Sequence, residues 1–221
     1  MHSDSQTLVV PFSIEGNLCY LSHLETMAMF QRALVRSGIS LCFSEGFNPR
    51  PRMSLPLPRS VGMISQGDRL CAQVCEPNSK VDAMQIGDRL AQQLPDGCCA
   101  QPAELHAGRA SFQPVGAEYV FSLRPAGRPE TGRKVEAVRN RLASGEAVLA
   151  ERRLSRGGTK QRDLRPYLKS LRSDSGRIVV EYAIRPDGSV RIDEIMSLLD
   201  IERGDLAEPV RRRSVQWVRT K

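Results

Sequence analysis

A chain of 221 residues, 40% hydrophobic and 26% charged, is long enough for one large core or two small ones and does not have a disordered composition. No apolar run approaches the roughly 18 residues of a membrane helix, and Met1–Gln6 lacks the charged and apolar regions of a secretory signal, which points to the cytoplasm. The net charge of +7 is uneven: residues 1–108 hold eight Lys/Arg against ten Asp/Glu, while residues 109–221 hold 24 against 15, so the second half is the one suited to face a polyanion.

Thr7–Ile14 reads as a strand with Val10, Phe12 and Ile14 on one face, and Pro11 marks it as an edge. Ser22 followed by Glu25 is a capping box that starts a helix at His23. Leu24, Met27, Ala28, Leu34 and Val35 then recur at helical spacing, and Gly38 suits the stop. Ile39–Phe43 predicts a second strand that runs into a proline-rich loop, and Asp68–Cys75 a third. Val81–Leu94 is helical up to Pro95, and a short strand around Cys98–Leu105 closes the set. The order β-α-β-β-α-β is that of a ferredoxin-like split βαβ, placed at residues 1–107.

Beyond a Gly/Ser/Pro-rich boundary at 108–116, residues 117–221 predict a basic α+β domain that loosely repeats the pattern. Its elements are a strand at Tyr119–Leu123, a helix at Gly132–Ala143 and a strand at Ala147–Leu154. A hairpin of Arg177–Ile184 with Ser189–Ile192 around Pro186-Asp187-Gly188 follows, then a helix at Ile195–Leu199 and a strand at Val215–Val218. The expected fold class is α+β, two ferredoxin-like halves in tandem.

The residues with chemical potential cluster between Tyr20 and Gly62. The loop Ser44–Pro58 carries Arg50 and Arg52 beside prolines, with Arg59 just after it. Fixed φ angles lower the ordering entropy of such a loop, so its cations can be held ready for a phosphate or carboxylate; the alternative is pairing with Glu25 or Glu45. Phe47, next to Asn48, either stacks on a base or tucks into the core. His23 at the helix start is placed to act as a general base in RNA cleavage or simply to organise the loop, and no second acid/base is evident. The capping box puts Ser22 and His23 at one end of the first domain, with the loop expected to line the same end.

A second cationic stretch comprises Arg152, Arg153, Arg156, Lys160, Arg162 and Arg165, followed by Lys169 and Arg172, with only Asp163 against it. Arginine's planar fork suits phosphate, although a solvated basic surface has the same composition. Arg156-Gly157-Gly158-Thr159-Lys160 does not have P-loop spacing. The six cysteines show no ligand spacing and read as reduced, buried, hydrophobe-like residues; neither a metal nor a cofactor is expected.

The runs Leu21-Ser22-His23-Leu24-Glu25, Arg32-Ala33-Leu34 and Ser44-Glu45-Gly46-Phe47-Asn48-Pro49-Arg50-Pro51-Arg52 resemble the radical-SAM-associated family of unknown function. Its members occur as separate bacterial chains or fused behind cobalamin-binding radical SAM enzymes. Leu55-Pro56-Leu57-Pro58, Val61-Gly62, Ser65, Gly67-Asp68 and Asp163-Leu164-Arg165-Pro166 extend the likeness. Glu25 stands where the family usually has aspartate, and Asp68 where it often has glutamate. The resemblance implies a radical SAM enzyme as partner and RNA or a ribosomal component as substrate context. The C-x-x-x-C-x-x-C cluster motif is missing, so any radical step belongs to another polypeptide. The expectation is therefore a non-catalytic accessory protein that binds RNA or presents an RNA or ribosomal substrate. The alternatives are a metal-independent endoribonuclease using His23 and a pure protein-interaction module.

Overall fold

The computed structural model describes residues 5–75, 82–125, 128–154 and 157–220. The expectations resting on Met1–Asp4, Val81 and Arg156 lie outside the described residues. The chain is α+β and divides into two compact units, Met1–Pro114 with Trp217–Lys221, and Val115–Gln216.

In the first unit, β1 (Gln6–Ile14) is followed by α1 (His23–Arg36), β2 (Met53–Ser54), β3 (Ile64–Val74), α2 (Ala83–Ala91), β4 (Cys98–Ala100) and β5 (Glu104–Ala107). The strand order is β4-β1-β3, with β5 also on β1 and β2 on β3. β1 is thus central rather than an edge. Antiparallel pairing to β3 runs from Gln6↔Val74 to Phe12↔Asp68, and on the other side β5 covers Gln6–Val9 while β4 covers Phe12–Ile14. Pro11 falls in the gap between β5 and β4. Its carbonyl accepts from the Gln101 N–H at 2.8 Å on that side, so the missing N–H faces a break in the ladder and orphans no acceptor. The proline is a signal of an interrupted neighbour.

The capping box is present: the Ser22 hydroxyl accepts from the Glu25 N–H, and the Glu25 carboxylate accepts from the Ser22 N–H at 2.8 Å. The buried face of α1 is Thr26, Met29, Phe30, Ala33 and Leu34, whereas Leu24 and Val35 are exposed. The helix is therefore turned relative to the expected register. Phe30 decides the rotation, because its ring meets Phe12 edge-on at 4.6 Å in a core shared with Leu8, Val10 and Leu70.

The second unit contains β6 (Phe112–Ser122) from Val115 onward, α3 (Arg128–Ser144), β7 (Leu149–Arg153), β8 (Thr159–Asp163), β9 (Leu168–Asp174), β10 (Arg177–Ala183), α4 (Ile192–Leu199) and β11 (Arg211–Arg219) up to Gln216. Its order is β11-β6-β10-β9, and β7 and β8 form a separate two-stranded ribbon. The partner of β10 in the hairpin is β9 and not Ser189–Ile192. Ser175 and Gly176 both have positive φ (49° and 81°), the two-residue turn that matches strand twist, whereas the Pro186-Asp187-Gly188 turn closes only the bridge Arg185↔Gly188.

Candidate functional site

The expected second strand is split by an excursion. Ser40 accepts from the Cys75 N–H at 2.9 Å, Leu41 bridges Val74, and the Cys42 N–H donates to the Gln73 carbonyl at 2.8 Å. The same Gln73 donates its N–H to the Arg52 carbonyl at 2.8 Å, after which Met53↔Ala72 and Ser54↔Cys71 continue the ladder as β2. The chain therefore leaves the strand at Cys42 and rejoins it at Arg52, and the Arg52 N–H closes the neck on the Cys42 carbonyl at 2.8 Å.

The excursion is itself a small hairpin. Phe43 bridges Pro51, the Ser44 N–H donates to the Arg50 carbonyl at 2.8 Å, and the Arg50 N–H donates to the Ser44 hydroxyl at 2.9 Å. The turn needs Gly46, at φ +129°, where an L side chain is strained. Phe47 follows at the apex and is completely exposed (101%), so tucking into the core is excluded. Cys42 is disulfide-bonded to Cys75 (Cα–Cα 5.3 Å), which corrects the expectation that the cysteines are reduced and ties the neck to the chain just past β3.

Arg50 is exposed and Arg52 half-buried, and among the described residues no ion pair engages either. The alternative of pairing with Glu25 or Glu45 is not seen for either among the described residues, and the Glu25 carboxylate accepts from the Ser22 N–H in the capping box. Asn48 is exposed beside Phe47. Arg59 plays a different part. It is 8% exposed and donates to the carbonyls of Cys19, Met63, Leu18 and Leu21 and to the Thr26 hydroxyl. Its guanidinium fixes the turn before α1.

That turn sits at the opposite end of β3 from the finger. The Gly62 N–H donates to the Cys19 carbonyl at 2.8 Å, which places Ser22 and His23 near Met63, whereas the finger stands on Gln73. At about 3.3 Å per residue, Ile64 and Gln73 lie ~30 Å apart along β3, and a hairpin of about four residues a side reaches only ~13 Å. His23 and the arginines of the loop therefore do not line one end, which corrects the expectation. Ser22 is consumed by capping, and His23 is half-buried with no acid/base partner among the described residues.

Two arginines of the second unit's cationic stretch, Arg152 and Arg162, are turned inward. Arg152 grips the fully buried Glu194 with two hydrogen bonds (2.7 and 2.9 Å) and donates to the Ser189 carbonyl at 3.1 Å. These bonds to Glu194 raise the guanidinium pKa further. Arg162 donates to the same carbonyl at 2.8 Å, lies 3.8 Å from Glu194 and stacks over Tyr167 at 4.2 Å. Arg165 is exposed, pairs with Asp163 at 3.7 Å and donates to the Gly145 carbonyl. Lys160 is exposed on β8 opposite Arg152, and Arg153 lies on β7 opposite Thr159. Sequence inspection missed Glu194, which is 42 residues from Arg152 with no local signal of the pairing. It also missed Phe43, half-exposed on the finger, which reads as an ordinary strand residue.

Burial raises the Cys71 thiol to about 11 and the Cys98 thiol to about 12, so both stay protonated and unreactive. Among the described residues, no three His, Cys, Asp or Glu side chains converge to hold a metal ion, and no helix is long and apolar enough to cross a membrane.

Fold and site together define an α+β protein with a preorganised basic finger carrying an exposed aromatic tip. The chain belongs to the family described as an uncharacterized protein conserved in bacteria (DUF2344), which it matches over residues 7–196. Among solved structures it is similar to one described as an unknown protein from Galdieria sulphuraria. That likeness is 14% identical, covers 99% of this chain and 100% of the other, and has a TM-score of 0.25. No curated protein matches the chain.

Proposed function

We propose that this protein is a non-catalytic accessory of a radical SAM enzyme, working in the cytoplasm, that binds RNA or presents an RNA or ribosomal substrate through the Cys42–Arg52 finger. The observation that carries the reading is the finger's charge state. Arg50 and Arg52 stand at a closed neck without an ion pair among the described residues, and Phe47 stands at the tip. Cations held in place and left unneutralised suit phosphate, whereas the arginines Arg59, Arg152 and Arg162 already have internal acceptors. The link to a radical SAM enzyme rests on the resemblance of Leu21–Glu25 and Ser44–Arg52, and the partner would supply the radical chemistry. The strand orders β4-β1-β3-β2 and β11-β6-β10-β9, each antiparallel where the register is given, support reading both units as ferredoxin-like.

The test is equilibrium binding of the purified protein to RNA across a salt series. Affinity should fall with a log–log slope of about 0.7 per phosphate contact on single strands. Binding that is absent or insensitive to salt would remove this reading.

A further inference from the structure

Phe47 is the most exposed of the large hydrophobic side chains among the described residues, and stability does not explain it. The other phenylalanines outside the finger, Phe12, Phe30, Phe112 and Phe121, are all buried, as hydrophobic burial dictates. Phe47 is fully exposed, and its neighbours Gly46, Asn48 and Pro49 are exposed too. It therefore contributes no core packing. Yet the chain holds it at the end of a hydrogen-bonded hairpin. Two residue pairs, Phe43–Pro51 and Ser44–Arg50, zip the hairpin, the Cys42–Arg52 bond closes its neck, and Pro49 and Pro51 fix φ on its return side. An ordered apex lowers the entropy that a ligand must overcome.

The surroundings decide what such a ring can meet. A stable protein-docking surface buries about 800 Å² per partner around a core of packed apolar side chains. Here the ring is isolated at the tip of a hairpin, flanked by Asn48 and by Arg50, and Phe43 is half-exposed further down. A planar π-face beside unpaired cations matches the two-part chemistry of single-stranded nucleic acid, in which bases offer stacking faces and phosphates offer charge. In a duplex the bases already stack on each other and leave the ring no free face.

We infer that the finger reads unpaired bases: Phe47 stacks on one base of a single-stranded RNA segment while Arg50 and Arg52 hold the adjoining phosphates. This rests on the RNA-binding reading and narrows it to single strands. Selectivity comes from the ring and general affinity from the arginines, so the two separate by substitution.

The experiment uses the full chain and a fluorescein-labelled single-stranded RNA 12-mer, free or annealed to its complement, at one fixed salt concentration. Wild-type protein, Phe47→Ala and Phe47→Leu are compared, with thermal melting as the fold control for these exposed-site variants. The expected result is tighter binding to the single strand. Phe47→Ala should lose about 5- to 150-fold of it, Phe47→Leu should lose nearly as much because leucine has no π-face, and duplex binding should be unchanged. Full affinity in Phe47→Leu, or equal binding of both RNA forms unaffected by either substitution, would overturn the inference and leave the RNA-binding reading standing. No binding of either form by the wild type would overturn both.

Discussion

Each unit carries a small insertion outside its main strand ladder. In the first, the chain leaves the second strand at Cys42 and returns at Arg52; in the second, the β7–β8 ribbon stands between α3 and the edge strand β9. Both insertions are basic, and by charge alone the ribbon is the stronger candidate for a polyanion. Their side chains act differently. Arg152 is locked to Glu194, and Arg162 is held by Ser189 and Tyr167, so these two arginines serve the fold. The finger has fewer cations, but Arg50 and Arg52 have no ion pair among the described residues. A cation already satisfied inside the fold adds little to binding, so the pairing state is a better guide to an interface than the charge count.

The largest effect should come from breaking the ribbon's internal pair. Glu194→Ala strands Arg152 without its buried partner and should cost about 3–5 kcal/mol, read as a lowered urea midpoint. Under conditions where the variant remains folded, its RNA affinity should be unchanged, because the proposal places RNA on the finger and not on that pair. A stable variant with altered RNA binding would break the contrast. Next in size is the staple at the finger's neck. Cys42→Ser should cost about 2–4 kcal/mol, and the unfolded, unreduced wild type should titrate as four thiols (Cys19, Cys71, Cys98 and Cys99). Six thiols would show that the neck is held by backbone hydrogen bonds alone.

A smaller effect sharpens the comparison from the finger's side. Arg50→Ala with Arg52→Ala should leave the melting temperature nearly unchanged and reduce the salt slope of RNA binding by about 1.4, two contacts' worth on single strands. Lys160→Ala on the ribbon should leave that slope unchanged. The smallest effect concerns the helix start at the far end of β3. The Ser22 backbone hydrogen bond, then the Ser22 hydroxyl, hold the Glu25 carboxyl below its ordinary value. Its folded pKa is depressed, so its contribution to stability is present above the ordinary carboxylate range and is lost as pH falls through the lowered value. Urea midpoints followed into acid should therefore decline slightly less in Glu25→Gln than in the wild type.

Local signals in the sequence carried the helix start and the strand cores. Ser22 and Glu25 announce a capping box because both partners lie within one turn, and Val10, Phe12 and Ile14 announce a buried strand by alternation. Long-range pairing left no such trace. Pro11 reads as an edge because the gap between β4 and β5 cannot be seen from β1, and β10 takes β9 as partner because Ser175-Gly176 makes the tighter turn. The site was legible in the same measure. Arg50, Arg52 and Phe47 stand out by their company of prolines and glycine, but Arg59 and Arg152 look equally available until their acceptors, Cys19 and Glu194 among them, are placed. Prolines announce a rigid loop; they do not say which arginines it leaves free.

The central claim is that the finger and not the ribbon meets RNA. Ultraviolet crosslinking of the wild-type protein to a saturating single-stranded, uridine-rich RNA, followed by sequencing of the crosslinked peptides, tests it most directly. The account expects the crosslink on the peptide carrying Phe47. Crosslinks confined to β7–β8 peptides, or none from an RNA shown to be bound, would contradict it.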